Sequence, residues 1–191
     1  MTFIVIEGVD GSGKDSAADM AAKILGLYGR RVICHRHPDK SNIFGKIESI
    51  CLLREGNLSK YILSVSYVLD LLVSVIRMKG EDADDVIFVR YHMAALYLDG
   101  CIPRMLFRLM HAVFPEPDIG ILIDVPTETA IERIESRGHN REVFENIERI
   151  SSVRERMIDS ANDMGWYVVD NSGTRSKLGT ALEKILKKRL Y

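Results

Sequence analysis

The chain opens with a short run of apolar, β-favouring residues, Phe3-Ile4-Val5-Ile6, without polar alternation, the pattern of a strand covered on both faces. Four further runs of this kind follow at 32–34, 86–89, 119–125 and 166–169, the run at 86–89 preceded by an acidic turn over 81–85. Between the runs the apolar period changes. Ala17, Ala18, Met20, Ala21, Ile24 and Leu25 recur at helical spacing, and Gly29 supplies a stop. Segments 43–53 and 58–78 read as helices parted by the breaker Glu55-Gly56-Asn57. Segment 93–113 reads as a largely apolar helical stretch interrupted near Pro103. Thr127 opens a helix carrying Ala130, Ile131 and Ile134 that ends near Arg137-Gly138. Segment 142–164 is charged and amphipathic, and 177–190 is the last helix.

Strands alternating with helices predict an α/β fold, a five-stranded, mainly parallel sheet with helices on both faces. No repeat, low-complexity tract or linker divides residues 1–191, which are expected to form a single domain.

Composition narrows the function classes. The formal net charge is −1, so the excess of Lys and Arg that marks a nucleic-acid-binding surface is missing, and no nucleic-acid partner is expected. Phosphate chemistry must then rest on locally placed cations. Cys34, Cys51 and Cys101 are odd in number and far apart, which points to small buried hydrophobes in a reducing compartment. The start MTFIVIEG lacks a basic segment and a long apolar run, so a cytoplasmic protein without a membrane partner is expected.

The strongest chemical signal lies between the first strand and the first helix, in Gly8-Val9-Asp10-Gly11-Ser12-Gly13-Lys14. Glycines there let backbone N–H groups converge on a polyphosphate, the helix N-terminus adds partial positive charge, and Lys14 reaches the β- and γ-phosphates of a nucleotide. The expected ATP-binding set is therefore Gly8, Asp10, Gly11, Ser12, Gly13, Lys14, Asp15 and Ser16. Asp15 stands where this motif ordinarily carries a Mg²⁺-binding hydroxyl, and Ser16 follows it. Three readings stay open for Asp15: an acid favoured in a first helical turn, a carboxylate ligand for Mg²⁺, or a site that has lost its metal.

The opening FIVIEGVDGSGK resembles that of thymidylate kinases, which carry an E-G-x-D-G-x-G-K loop. The resemblance continues in order along most of the chain. Arg36-His37-Pro38-Asp39-Lys40-Ser41 is similar to the family's R-F-P-x-R-S/T segment, and Leu71-Leu72-Val73-Ser74-Val75-Ile76-Arg77 to its L-L-F-S-A-N-R helix. Val89-Arg90-Tyr91 occupies the place of the D-R-Y/H motif, and Arg141-Glu142-Val143-Phe144-Glu145 resembles part of a lid over about 137–146. This resemblance implies the P-loop NTPase three-layer fold, a homodimer, and transfer of phosphate from ATP to dTMP with Mg²⁺, in dTTP biosynthesis. It also implies roles for single residues. Arg90 and Lys40 would hold the acceptor phosphate, Asp10 the sugar hydroxyl, and Arg77 the thymine ring, with Val73 and His37 beside it. Arg137 and Arg141 would be the lid cations, with Lys14 and Arg90 completing the catalytic set.

Three departures stand out. Val89 replaces an aspartate that helps position Mg²⁺, Asp15 replaces the loop hydroxyl, and Val73 replaces the phenylalanine that stacks on thymine. A carboxylate lost at Val89 would be restored by Asp15 from the other side of the metal. Two alternatives follow: a kinase for another nucleotide or a nucleoside, with Glu7 as the nearest candidate base, or a nucleotide-binding module without phosphotransfer.

Overall fold

The structure, a computed structural model, describes residues 1–52, 56–97, 102–136 and 147–190. Five strands form the sheet: β1 (Thr2–Glu7), β2 (Val32–Arg36), β3 (Asp85–Val89), β4 (Ile119–Asp124) and β5 (Tyr167–Asp170). Seven α-helices accompany them among the described residues: α1 (Lys14–Leu27), α2 (Ile43–Cys51), α3 (Asn57–Met78), α4 (Ile102–Val113), α5 (Thr127–Ser136), α6 (Ile147–Asp163) and α7 (Arg175–Leu190). Every strand pair is parallel, in the order β2-β3-β1-β4-β5.

Side-chain alternation assigns each strand residue to a layer. Ile4 and Ile6 point to one face, where they join Ala17, Ala18 and Ala21 of α1 and Leu178 and Leu182 of α7. Phe3 and Val5 point to the other, where Tyr67, Leu71 and Val75 of α3 cover them. Both faces are therefore dry, which is why β1 and β3 read as unbroken apolar runs.

The described residues of the 93–113 stretch form two helical pieces. These are a 3₁₀ helix, His92–Tyr97, and α4, with Pro103 in the first turn of α4, where a missing N–H leaves no helical hydrogen bond unmade. Asp85 likewise belongs to β3 rather than to the acidic turn before it. It is 1% exposed, and its carboxylate pairs with the Arg30 guanidinium, Oδ1 lying 2.6 Å from Nη2. Within α3, Tyr61–Met78 is long and apolar enough to cross a membrane by length and composition, but its inner side forms part of the core.

The strand order sets the location of the site. From β1 the sheet extends through β3 to β2 on one side and through β4 to β5 on the other. The carboxyl ends of β1, β3 and β4 therefore open onto a crevice where the connections diverge.

Candidate active site

The loop leaving β1 is shaped by close approaches. Gly11 has φ 81°, and a Cβ there would lie 2.2 Å from the Ala130 carbonyl oxygen of α5. Gly13 caps α1 at φ 88°, so the chain turns directly into the helix whose first residue is Lys14. The Asn171 amide holds the far side of the loop by donating to the Ser12 carbonyl at 2.8 Å. The first turn of α1 thus directs its N–H groups and dipole into a cavity of about 300 Å³. Asp10, Gly11, Gly13, Lys14, Asp15, Ser16, Arg90 and Arg133 line it.

Two cations meet one anion at this cavity. Lys14 Nζ donates to Asp10 Oδ1 at 2.8 Å, and Arg90 Nη2 donates to the same oxygen. Lys14 also donates to the Val9 carbonyl at 3.4 Å. Asp10 is fixed from behind, its N–H donating to the Tyr97 hydroxyl at 2.8 Å. Burial pushes the Tyr97 hydroxyl well above its ordinary range, so it stays neutral and available as this acceptor.

Arg90 sits on an unusual backbone. Its φ is 63°, the one positive value outside glycine among the described residues. Its N–H donates to the Ile6 carbonyl at 3.3 Å, and its carbonyl lies 3.0 Å from His37 Nδ1. The other ring nitrogen of His37 lies 2.9 Å from Ser74 Oγ, and burial pulls the imidazole below its usual pKa. Glu7 closes the arrangement, with Oε1 accepting from the Tyr91 N–H at 2.6 Å and the Met93 N–H at 3.1 Å. Burial raises the Glu7 carboxyl from 4.5 to about 7, against the two N–H groups and the nearby charges of Lys14 and Arg90. A fully buried carboxylate engaged in this way is not placed to take a proton from an acceptor hydroxyl, the role considered for it above.

The structure brings Gly8, Asp10, Gly11, Ser12, Gly13, Lys14 and Arg90 together, with Asp15 and Ser16 at the cavity rim. Asp15 is largely exposed, 3.9 Å from the Arg36 guanidinium. The residues expected around the base lie along another line. Arg77 pairs with Asp39 at 3.2 Å and with Ser41 at 3.1 Å, Lys40 is exposed, Val73 is half-buried and His37 is buried. Arg137, Arg141 and Cys101 lie outside the described residues. Arg133 and Asn171 were not singled out from sequence. Arg133 reaches from α5 to the Gly11 and Ser12 carbonyls at 3.4 and 3.3 Å and to the Asn171 carbonyl at 2.9 Å. Its place in a run with Arg137 and Arg141, each four residues from the next, was the available signal, though equally one of a solvated helical face.

A glycine loop between β1 and α1, a buried lysine and a second cation at the neighbouring strand end define a P-loop nucleotide kinase. Comparison with known proteins narrows the class. Residues 6–179 match the family model for thymidylate kinase. The chain is 32% identical to a probable thymidylate kinase of Saccharolobus solfataricus, over 99% of this chain and 98% of that protein. It is 25% identical to the thymidylate kinase of Rhodopirellula baltica, over 96% of this chain and 79% of that one. Among solved structures it resembles the thymidylate kinase of Candida albicans, with a TM-score of 0.79 and 19% identity, covering 99% and 92% of the two chains. The chain belongs to the thymidylate kinase family.

Proposed function

We infer that this chain transfers the γ-phosphoryl group of ATP to dTMP, giving ADP and dTDP on the route to dTTP. The observation that carries the reading is the meeting of Lys14 and Arg90 at Asp10, which sets a donor-side and an acceptor-side cation one carboxylate apart. Lys14 moves from Asp10 to the β- and γ-phosphates of ATP, and Arg90 takes the acceptor phosphate, for which a guanidinium fork is suited. Asp10 then accepts from the sugar hydroxyl. An acceptor phosphate oxygen is already anionic at neutral pH, so no base is required. It attacks the γ-phosphorus, the bond to the β–γ bridging oxygen breaks, and ADP leaves with that electron pair. Catalysis consists of alignment and charge neutralisation.

ATP extends past Arg133. A second cavity, of about 270 Å³, shares Gly13, Ser16 and Arg133 with the phosphate cavity and continues to Asn171 and Arg175, which suits the nucleoside of the donor. At the acceptor, Arg77 serves the base, Lys40 assists the phosphate, and Val73 and His37 bound the ring pocket, as the resemblance implies. Arg137 and Arg141 are proposed as the lid cations.

The residues at the cavity rim fit Mg²⁺. The Asp15 carboxylate is exposed and Ser16 follows it on the same cavity, two hard oxygen donors, whereas Val89 at the end of β3 is buried and has none. Asp15 and Ser16 would hold the ion, which when bound draws negative charge from the transferring phosphates. Arg36 lies 3.9 Å from Asp15 but pairs more closely with Asp19, at 2.5 Å.

A homodimer in the cytoplasm completes the proposal. The outer side of α3 exposes Leu58, Tyr61, Ile62, Val65, Leu72 and Ile76, a continuous apolar row that a second copy of the chain would cover. Chromatography of a reaction containing ATP, Mg²⁺ and dTMP tests the activity: dTDP and ADP should form in equal amounts, and ADP without dTDP would contradict it.

A further inference from the structure

Glu7 has no part in the chemistry just described, yet it is a carboxylate buried beneath the centre of the site. A buried ionisable group is costly unless its hydrogen bonds repay the lost hydration. Here one oxygen is fully used and the other is not: Oε1 accepts the Tyr91 and Met93 N–H groups, while Oε2 has no hydrogen-bond partner. The two N–H groups belong to the first and third residues after Arg90. A left-handed conformation at a long side chain persists only where the surroundings fix it. The contacts around Arg90 do so on three sides, through the Ile6 carbonyl, the His37 ring and the Glu7 carboxylate.

We propose that Glu7 is a positioning residue for the acceptor phosphate, its Oε1 tying down the turn whose left-handed backbone aims Arg90 across the crevice at Asp10. The inference rests on the reading of Arg90 as the acceptor-phosphate ligand. Without the tie, the Tyr91 and Met93 N–H groups would be buried and unpaired, and the turn would relax toward the right-handed conformations that an arginine prefers. The guanidinium would then lose its line to the shared oxygen of Asp10. Because Glu7 also ends β1 directly before Gly8, it joins the donor loop to the acceptor turn through one side chain. The charged and titratable groups facing it are Lys14 from α1, Arg90 from the turn and Tyr67 from α3. With a carboxyl titrating at about 7, protonation weakens Oε1 as an acceptor and removes its attraction for the two cations, so the tie loosens below neutrality.

Calorimetric binding of dTMP and of ATP, measured separately, tests this with Glu7→Gln, Glu7→Ala and Arg90→Ala. Glutamine keeps an oxygen at the tie; alanine does not. Glu7→Gln should bind dTMP within about threefold of the parent protein at pH 8, whereas Glu7→Ala should lose at least roughly tenfold. Both should bind ATP within about threefold. From pH 8 to pH 6 the parent should lose more dTMP affinity than Glu7→Gln, the titration of the ligand's own phosphate being common to both. This comparison decides the matter if Glu7→Ala does not fold. Parent-like dTMP binding by Glu7→Ala, equal losses for dTMP and ATP, or superimposable pH profiles for parent and Glu7→Gln would overturn the positioning role. Undiminished dTMP binding by Arg90→Ala would instead overturn the assignment of Arg90, a failure distinct from that of Glu7.

Discussion

Lys14 and Arg90 contact a single oxygen, Oδ1 of Asp10, which Lys14 Nζ meets at 2.8 Å. The side chains of Lys14 and Asp10 are 5% and 6% exposed, so this is a desolvated cluster in which one carboxylate serves two cations. In the proposed reaction the substrate phosphates take over part of the role that Asp10 fills here.

Removing that carboxylate should therefore be felt in the unliganded protein. Deleting one partner of a buried ion pair typically costs about 3–5 kcal/mol, because the remaining charge stays desolvated. Asp10→Ala is expected to lower stability by an amount in this range. Urea unfolding in the absence of nucleotide measures it, and a loss below about 0.5 kcal/mol would mean that the cations are adequately solvated without Asp10.

Arg90→Lys keeps the charge and loses the planar fork. The KM for dTMP should rise on the order of tenfold, with ATP binding little changed, because an ammonium cannot reproduce bidentate phosphate contacts. Steady-state kinetics with each substrate varied in turn separates the two effects. An unchanged KM for dTMP would remove Arg90 from the acceptor site.

How far these features could be read from sequence depended on whether they are local. The phosphate loop and the strands were legible because fully covered parallel strands are continuous apolar runs and the loop lies within seven consecutive residues, Gly8 to Lys14. The tie between Glu7 and Tyr91 joins residues 84 apart, and that between Arg133 and Gly11 joins residues 122 apart. Neither pairing is written in a periodicity or a motif, since each arises from strand order and helix packing. The burial of the His37 ring was hidden for a related reason. The neighbours of His37 in sequence resemble a motif of the family, but its ring is buried among Phe88, Ser74 and the Arg90 carbonyl.

Asp15 offers a test of the metal arrangement. Its side chain is 64% exposed, so Asp15→Ser should leave the thermal midpoint nearly unchanged. The Mg²⁺ concentration giving half-maximal turnover should rise several-fold as a charged oxygen ligand is replaced by a neutral one. If the Mg²⁺ dependence is unaltered, compensation for Val89 by Asp15 is wrong.

Glu7 makes stability depend on pH with a definite sign. Its carboxyl moves from 4.5 when unfolded to about 7 when folded, so between these values the folded state binds more protons and stability falls as pH rises. The shift sets an upper bound of roughly 3 kcal/mol on this contribution. Glu7→Gln removes it, but its amide would bury an unpaired donor, which typically costs about 1–3 kcal/mol. The expected signature is therefore in the slope. From pH 5 to pH 8 the parent should lose stability relative to Glu7→Gln in chemical denaturation. Parallel curves would mean that Glu7 does not titrate in this range.

The apolar row on α3 is tested by charge. Tyr61→Lys with Val65→Lys should shift the protein from twice its 21.6 kDa mass to the monomer in sedimentation velocity. A parent protein that already sediments as a monomer would leave this row without the proposed partner.

The most direct measurement is the kcat/KM for Mg²⁺-dependent ADP formation with dTMP, dUMP, dCMP, dGMP and dAMP offered separately. The account predicts turnover with ATP that is highest for dTMP. Preference for another of these nucleotides would contradict the assigned acceptor, and ATP binding without turnover on any of them would contradict the kinase reading itself.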